Sequence, residues 1–160
     1  MMVVSNTTPI LSLYKINRLD LLQELFGNVY VPAAVYDEIA IMGKDKLGNE
    51  LFENFDFIKV KQVQNTFAAG LLKSQLDCGE TEAIVLAKEL DANILILDEK
   101  KARRIAQANG QRIIGTIGIL QIAKNKGLIS SVKLCLDELI SAGIWINNKL
   151  YADILNDENE

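Results

Sequence analysis

Five polar residues, far apart along the chain, are of the types that could together bind a divalent cation: Asn6, Glu38, Glu80, Glu82 and Asp98. Each follows a predicted strand or lies on a helix next to one, and parallel α/β sheets bind ligands at the carboxyl ends of their strands. Carboxylates that converge there repel one another, and a bound cation relieves this repulsion. Ligation by oxygen alone favours Mg²⁺ or Mn²⁺, and such a cation can polarise a phosphodiester.

Each of these residues also has a structural interpretation. Glu80 fits the last position of a capping box, and Asp98 directly precedes a predicted helix that it could cap. Asn6 could cap the first helix, and Glu38, on an amphipathic helix, would ordinarily be a solvated charge that reaches the sheet edge only if its helix leans across it. Glu82 lies past the cap position of its helix and has the weakest structural explanation.

The absence of certain residue types narrows the possible chemistry. The 160 residues include no histidine, which excludes a Ser-His-Asp triad, a His-ligated zinc and a histidine general base. The two cysteines, Cys78 and Cys135, are too few for a disulfide framework and suit an intracellular protein. Any catalysis must therefore depend on carboxylates, hydroxyls, amides, lysine or a metal held by oxygen.

The elements that would position the polar residues alternate along the chain. Short apolar runs predict five strands, at 2–5, 28–31, 57–60, 93–97 and 112–114. Helix-length stretches separate them, and Thr8-Pro9 and Val31-Pro32 are typical helix starts. This succession predicts a three-layer α/β/α sandwich around a mostly parallel sheet of four to five strands. Residues 43–48 are predicted to be a surface excursion.

The length of 160 residues indicates one domain over residues 1–160, which is large enough to bury a substantial core. The net charge of −4 comes from the tail at 153–160, because the body without it has 17 acidic and 17 basic residues. A neutral body can still carry a basic patch. With no run near the roughly 18 apolar residues of a membrane span and no signal peptide, we expect a cytoplasmic protein without a membrane segment.

Five motifs of the chain occur in the order typical of one known family. They lie at residues 3–9, 31–39, 79–84, 97–103 and 114–118. Together they resemble the motifs of PIN-domain proteins, most closely the VapC-like branch of prokaryotic toxin–antitoxin pairs. The resemblance covers residues 2–127, and the remainder, 128–160, is predicted to be a helical C-terminal extension.

The resemblance implies a metal-dependent endoribonuclease that cleaves RNA phosphodiester bonds with Mg²⁺ or Mn²⁺. It implies Glu38, Glu82 and Asp98 as catalytic residues and metal ligands, with Asn6 in the first ligand position and Glu80 as the alternative in the third. It also implies RNA as substrate, a small antitoxin as partner and a homodimer. Asn6 stands where the family typically has aspartate, so the alternative is a catalytically weakened module that binds RNA or protein.

The densest basic cluster follows Asp98: Lys100, Lys101, Arg103 and Arg104. Arg103 and Arg104 are predicted to contact RNA phosphates near the acidic residues, with Thr7 as a further substrate contact. The alternative is that these charges form an ordinary solvated helix face.

The aromatic residues Tyr30, Tyr36 and Trp145 are scattered along the chain and predict no stacking platform for single strands. The segment 144–146, Ile-Trp-Ile, is instead predicted to pack on the core or to form part of a protein interface.

Overall fold

The sheet forms from the five apolar runs. In the computed structural model, which describes residues 1–42 and 47–160, the strands are β1 (Val3–Ser5), β2 (Val29–Pro32), β3 (Ile58–Lys61), β4 (Ile94–Ile96) and β5 (Ile113–Ile114). They make one parallel sheet in the order β3-β2-β1-β4-β5. The chain runs outward from β1 to β3, then crosses to β4, so the strand order reverses between β1 and β4. Ligands of such sheets bind at this reversal.

Ten helices surround the sheet in the described ranges: α1 (Thr7–Lys15), α2 (Asp20–Phe26), α3 (Ala33–Met42), α4 (Leu47–Asn54), α5 (Thr66–Leu72), α6 (Cys78–Glu89), α7 (Lys100–Ala108), α8 (Thr116–Asn125), α9 (Val132–Ser141) and α10 (Asn148–Asp157). None of them combines the length and the apolar character needed to cross a bilayer. Helix α1 begins at Thr7, before the predicted start at Thr8-Pro9, with Asn6 in the N-cap position. Of the predicted excursion, residues 43–46 lie outside the described residues, and 47–48 begin α4.

Two apolar clusters cover the two faces of the sheet, because successive strand residues point to opposite sides. Val3 and Ile96 belong to the larger cluster, with α1–α4 and α8–α10. Val4 and Leu95 belong to the smaller one, with α5, α6 and α7. The predicted three-layer α/β/α sandwich is therefore confirmed, and it holds the carboxyl ends of β1 and β4 side by side.

The C-terminal helices are attached to this core by both packing and charge. Leu136 of α9 and Ile154 of α10 are buried in the larger cluster. The Glu160 carboxylate pairs with Lys124 at 2.8 Å and accepts hydrogen bonds from the Ser131 hydroxyl and from the first backbone N–H of α9. The Lys124 ammonium and this hydroxyl lower the pKa of Glu160 to about 2.

Glu160 should therefore stabilise the fold in a pH-dependent way. Because its pKa is lower in the folded chain than the ordinary value of about 4.3, the stabilisation is complete above that value and disappears as the pH falls towards 2. We expect Glu160→Gln to melt below the wild type at pH 7, with the gap closing between pH 4 and pH 2. Thermal melts across this pH range measure the effect, and Asp157→Asn is the control for the charge of the tail. A difference in melting temperature that stays constant with pH would contradict the prediction.

Candidate functional site

Asn6 directly follows β1 and brings a carbonyl oxygen to the strand-order reversal. Its backbone N–H donates to the carbonyl of Ile96 in β4 at 3.0 Å, which joins the ends of the two strands. The residue is 5% exposed, and its Oδ1 is buried without a hydrogen-bond donor in the part of the chain that the structure describes. Although Asn6 has N-cap geometry, its side chain caps no helix N–H, so the capping interpretation is wrong. An unpartnered buried oxygen is costly and indicates a missing partner.

Glu38 leans from α3 across the sheet edge towards α6 and is half-buried rather than solvated. The Thr7 hydroxyl donates a short hydrogen bond to its Oε2. The backbone N–H of Gly79, in the first turn of α6, donates to its Oε1 at 3.0 Å. Two donors from two different helices therefore orient this carboxylate.

Glu80 forms the predicted capping box at the start of α6. The Glu80 N–H donates to Asp77 Oδ1 at 2.7 Å, and the Asp77 N–H donates to Glu80 Oε1 at 3.2 Å. The Glu80 side chain is nevertheless buried, with 7% of the residue exposed. Burial raises the pKa of Glu80, and the nearby carboxylates of Asp77 and Glu99 raise it further. Such a carboxylate gains stability from a nearby cation.

These residues share one cleft of about 350 Å³, here called the acidic cleft. Its lining includes four carboxylates and one basic side chain, that of Lys15. The complete lining is Asn6, Thr7, Thr8, Leu11, Ser12, Lys15, Glu38, Asp77, Glu80, Glu99 and Ile144. The structure thus brings together four of the residues that the sequence analysis singled out, Asn6, Thr7, Glu38 and Glu80.

Asp98 lies in an adjoining cleft, here called the tryptophan cleft. The Thr116 N–H donates to Asp98 Oδ1 at 2.7 Å and the Thr116 hydroxyl donates to Oδ2 at 2.6 Å, so Asp98 is fixed at the start of α8. The cap of α7 is Glu99, whose side chain accepts from the Ala102 N–H, so the prediction of Asp98 as that cap is wrong. The tryptophan cleft is lined by Thr8, Ser12, Asp98, Thr116, Ile117, Leu139, Ile144, Trp145, Ile146 and Leu150. It shares Thr8, Ser12 and Ile144 with the acidic cleft.

Two glycines that the sequence analysis did not place in the site allow the close approaches around these acids. A Cβ on Gly79 would lie 2.5 Å from Glu38 Oε1. A Cβ on Gly115 would lie 2.7 Å from Asp98 Oδ1 and 2.6 Å from an Arg103 guanidinium nitrogen. Gly79 could have been suspected, because glycine disfavours helices and here stands in a first helical turn.

Glu82 lines neither of the two clefts. Its Oε1 accepts a hydrogen bond from the Ala34 N–H at 3.2 Å and so satisfies one of the first backbone donors of α3. This contact joins α6 to the helix that carries Glu38. The structure therefore gives Glu82 a positioning contact, and it does not bring Glu82 to Asn6, Glu38 and Glu80.

A pair of Glu82 variants separates helix positioning from metal ligation. We expect Glu82→Ala to lose about 1 kcal/mol of folding stability, as for a lost helix cap, which lowers the melting temperature by about 2–4 °C. Glu82→Gln keeps an acceptor for Ala34 and should melt like the wild type. In calorimetric titrations, both variants should bind Mn²⁺ with the wild-type affinity. A tenfold weaker affinity in Glu82→Gln would show that Glu82 is a metal ligand after all.

The three predicted substrate contacts lie in different settings. Thr7 is buried, and its hydroxyl is engaged with Glu38. The Arg103 guanidinium donates to the Leu97 carbonyl at 3.0 Å, so it supports the end of β4. Arg104 is exposed on α7, as are Lys100 and Lys101. Of the three, Arg104 is the one placed to meet an external phosphate directly.

The acidic residues do not form a ready-made metal cage. Among the described residues, no three acidic, cysteine or histidine side chains come together in a way that could hold a metal ion. The predicted convergence of Glu38, Glu82 and Asp98 on one point is therefore not observed, since each of them hydrogen-bonds a different helix start or hydroxyl. The acidic cleft nevertheless contains several oxygen atoms that could bind a cation, including the unpartnered Asn6 Oδ1.

Comparison with known proteins assigns the family. A family model described as a PIN domain matches residues 2–160. PIN domains are generally nucleases, and they generally use Mg²⁺ or Mn²⁺. Neither a curated protein nor a solved structure matches the chain significantly. Because the match covers nearly all of the chain, this chain belongs to the PIN-domain family.

Proposed function

We propose that this chain is a metal-dependent endoribonuclease that cleaves RNA phosphodiester bonds at the acidic cleft. The observation that carries the proposal is the buried Asn6 Oδ1, which has no donor among the described residues and lies in one cleft with Glu38 and Glu80. A cation is the partner that satisfies a carbonyl oxygen and two carboxylates at once. Family membership supplies the reaction class.

The donor set fits a hard divalent cation. Asn6, Glu38 and Glu80 would hold Mg²⁺ or Mn²⁺, with Asp98 contributing from the adjoining cleft. All of these ligands would bind through oxygen atoms, which Mg²⁺ and Mn²⁺ prefer. When bound, the cation supplies Lewis-acid polarisation of the phosphodiester. Asn6 adds no negative charge, so we expect weaker affinity than an all-carboxylate site would have.

The chain's own residues orient the site and attract the substrate. The Thr7 hydroxyl and the Gly79 N–H hold the Glu38 carboxylate, and Thr116 holds Asp98. Lys15, at the acidic cleft, would bring a positive charge to an RNA phosphate. Since the sequence has no histidine, protein-assisted proton transfer would fall on a carboxylate of the cleft or on Lys15.

A cleavage assay tests this proposal. Single-stranded and structured RNAs are incubated with purified protein in Mn²⁺, in Mg²⁺ and in EDTA. We expect internal cuts with either metal and none in EDTA. Absence of cleavage at millimolar metal, or cleavage that persists in EDTA, would contradict an endoribonuclease at this cleft.

We propose further that the protein is the VapC-like toxin of a toxin–antitoxin pair, with a small antitoxin as partner, acting in the cytoplasm as a homodimer. The motif resemblance supports this role. Expression of the chain alone should arrest bacterial growth, and co-expression of a small neighbouring reading frame should relieve the arrest. Sedimentation of the purified protein tests the homodimer.

A second candidate function is an RNA- or protein-binding module with little catalytic activity. It is favoured by the amide of Asn6 in the first ligand position and by the lack of a three-acid cluster among the described residues. The two functions differ in one measurable respect. A binding module retains RNA in a filter-binding assay but leaves it intact in Mn²⁺, whereas the nuclease cuts it.

A further inference from the structure

One large aromatic side chain stands exposed beside the site. Trp145, in the segment between α9 and α10, is 83% exposed. Of the segment 144–146, Ile144 and Ile146 pack on the core as predicted, whereas Trp145 does not. Soluble proteins bury most of the surface of a tryptophan side chain, so a tryptophan that is exposed next to a functional cleft indicates a binding partner.

The backbone around Trp145 is anchored on both sides. Its neighbours Ile144 and Ile146 are half-buried and pack against the larger core cluster. The Ile144 N–H donates to the Leu139 carbonyl at 3.0 Å. Asn147 then caps α10 through a 2.7 Å hydrogen bond from the Leu150 N–H. The backbone on both sides of Trp145 is thus fixed, so a ligand that binds there has only the side chain to order.

Trp145 lies at the tryptophan cleft, within reach of the same groove as the acidic residues. This cleft has a volume of about 280 Å³ and includes Asp98 and Thr116. It meets the acidic cleft at Thr8, Ser12 and Ile144. Because the two clefts adjoin, a nucleic-acid strand with one phosphate in the acidic cleft could reach Trp145 with a nearby base.

The lining of the tryptophan cleft suits a single base better than a protein segment. Its most exposed apolar side chains are Trp145 and Leu150, which are 83% and 41% exposed. The other apolar residues of its lining are buried or half-buried: Ile117, Leu139, Ile144 and Ile146. The hydroxyls of Thr8 and Ser12 can exchange hydrogen bonds with a base edge. A protein interface would ordinarily present a broader apolar patch.

We propose that Trp145 stacks on an unpaired base of single-stranded RNA whose phosphodiester lies in the acidic cleft. The proposal rests on the proposed function and adds to it a base contact beside the acidic cleft. Every base has a face that can stack on an aromatic ring, so Trp145 contributes affinity for single strands without strong sequence preference. A base that remains paired in a duplex is stacked on its neighbours and is not available to the ring.

The chain has one tryptophan, so intrinsic fluorescence reports on Trp145 alone. The wild-type protein is titrated with a short single-stranded RNA and with an abasic oligomer of equal length and charge. Ca²⁺ replaces Mg²⁺ as the hard cation, and a gel afterwards verifies intact RNA. We expect quenching by the RNA and none by the abasic oligomer. Equal responses to both, or no response to the RNA, would overturn the stacking.

Variants separate stacking from a protein contact. Trp145→Ala should bind the RNA roughly 5- to 100-fold more weakly by anisotropy, and Trp145→Phe should retain most of the affinity. Phe67→Ala, which removes a ring that is 75% exposed on α5 and lines neither cleft, should bind like the wild type. Unchanged RNA affinity in Trp145→Ala would overturn the proposal, and a simultaneous change in sedimentation would identify a second protein chain as the partner of Trp145.

The same titrations distinguish failure of the stacking from failure of the nuclease. If RNA quenches the fluorescence of a protein that cleaves no RNA in Mn²⁺, Trp145 is a base contact and the proposed nuclease activity is wrong. If the wild type and Trp145→Ala cleave RNA at equal metal-dependent rates, with the RNA below saturation, the protein is a nuclease and Trp145 does not contact its substrate.

Discussion

Replacing Glu38 by glutamine should lower metal-dependent RNA cleavage by roughly 100-fold or more while leaving the fold intact. Changes to residues that merely support a ligand typically cost 10- to 100-fold, so loss of a charged ligand should lie at or beyond this limit. The glutamine Oε1 can still accept the Gly79 N–H, and its amide can meet the Thr7 hydroxyl, so the local contacts survive. The change therefore removes a charge and little else.

Cleavage rates at several Mn²⁺ concentrations measure this effect. Glu24→Gln is the matched control, because Glu24 is exposed on α2 and lines neither cleft. We expect the control to cleave and melt like the wild type. If Glu38→Gln cleaves at the wild-type rate, Glu38 is not a ligand of the catalytic metal.

Replacing Gly79 by alanine should reduce cleavage by roughly 10- to 100-fold with little change in stability. The new Cβ would lie 2.5 Å from Glu38 Oε1 and 2.7 Å from Oε2, and the carboxylate, as the end of a flexible side chain, would move away. Its hydrogen bond from the Gly79 N–H would be lost. Displacement of a reacting group by about 1 Å can cost about 100-fold in rate.

Stability should change little, because two effects oppose each other. Alanine improves helix propensity by about 1 kcal/mol, and the lost hydrogen bond costs about the same. Gly70→Ala is the matched control, since a Cβ there meets nothing within 4 Å in α5. It should melt slightly above the wild type and cleave normally. Normal cleavage by Gly79→Ala, with its melting temperature unchanged, would show that the position of Glu38 does not matter.

The fold could be predicted from the sequence because its elements depend on local pattern. The run Ile94-Leu95-Ile96-Leu97 predicts a strand covered on both faces, and in the structure Leu95 and Ile96 are buried in opposite clusters. Helix α1 begins two residues before the start that Thr8-Pro9 predicts, because the N-cap position belongs to Asn6, the alternative cap.

The site could be predicted only in part, because the sequence does not show where side chains point. Glu80 and Glu82 are two positions apart on α6, and such residues lie on different sides of a helix. Glu80 lines the acidic cleft and Glu82 reaches α3, a difference that depends on how α6 sits against its neighbours. The exposure of Trp145 depends likewise on the path of the segment between α9 and α10, which no periodic pattern specifies.

The most direct test of a divalent cation held by Asn6, Glu38 and Glu80 is a Mn²⁺ titration followed by electron paramagnetic resonance, which counts free Mn²⁺. We predict one saturable Mn²⁺ per chain at or below millimolar concentration, and at least tenfold weaker binding in Glu80→Gln. That variant keeps an acceptor for the Asp77 N–H and so should keep the capping box. No bound Mn²⁺ at millimolar concentration, or unchanged affinity in Glu80→Gln, would contradict the assignment.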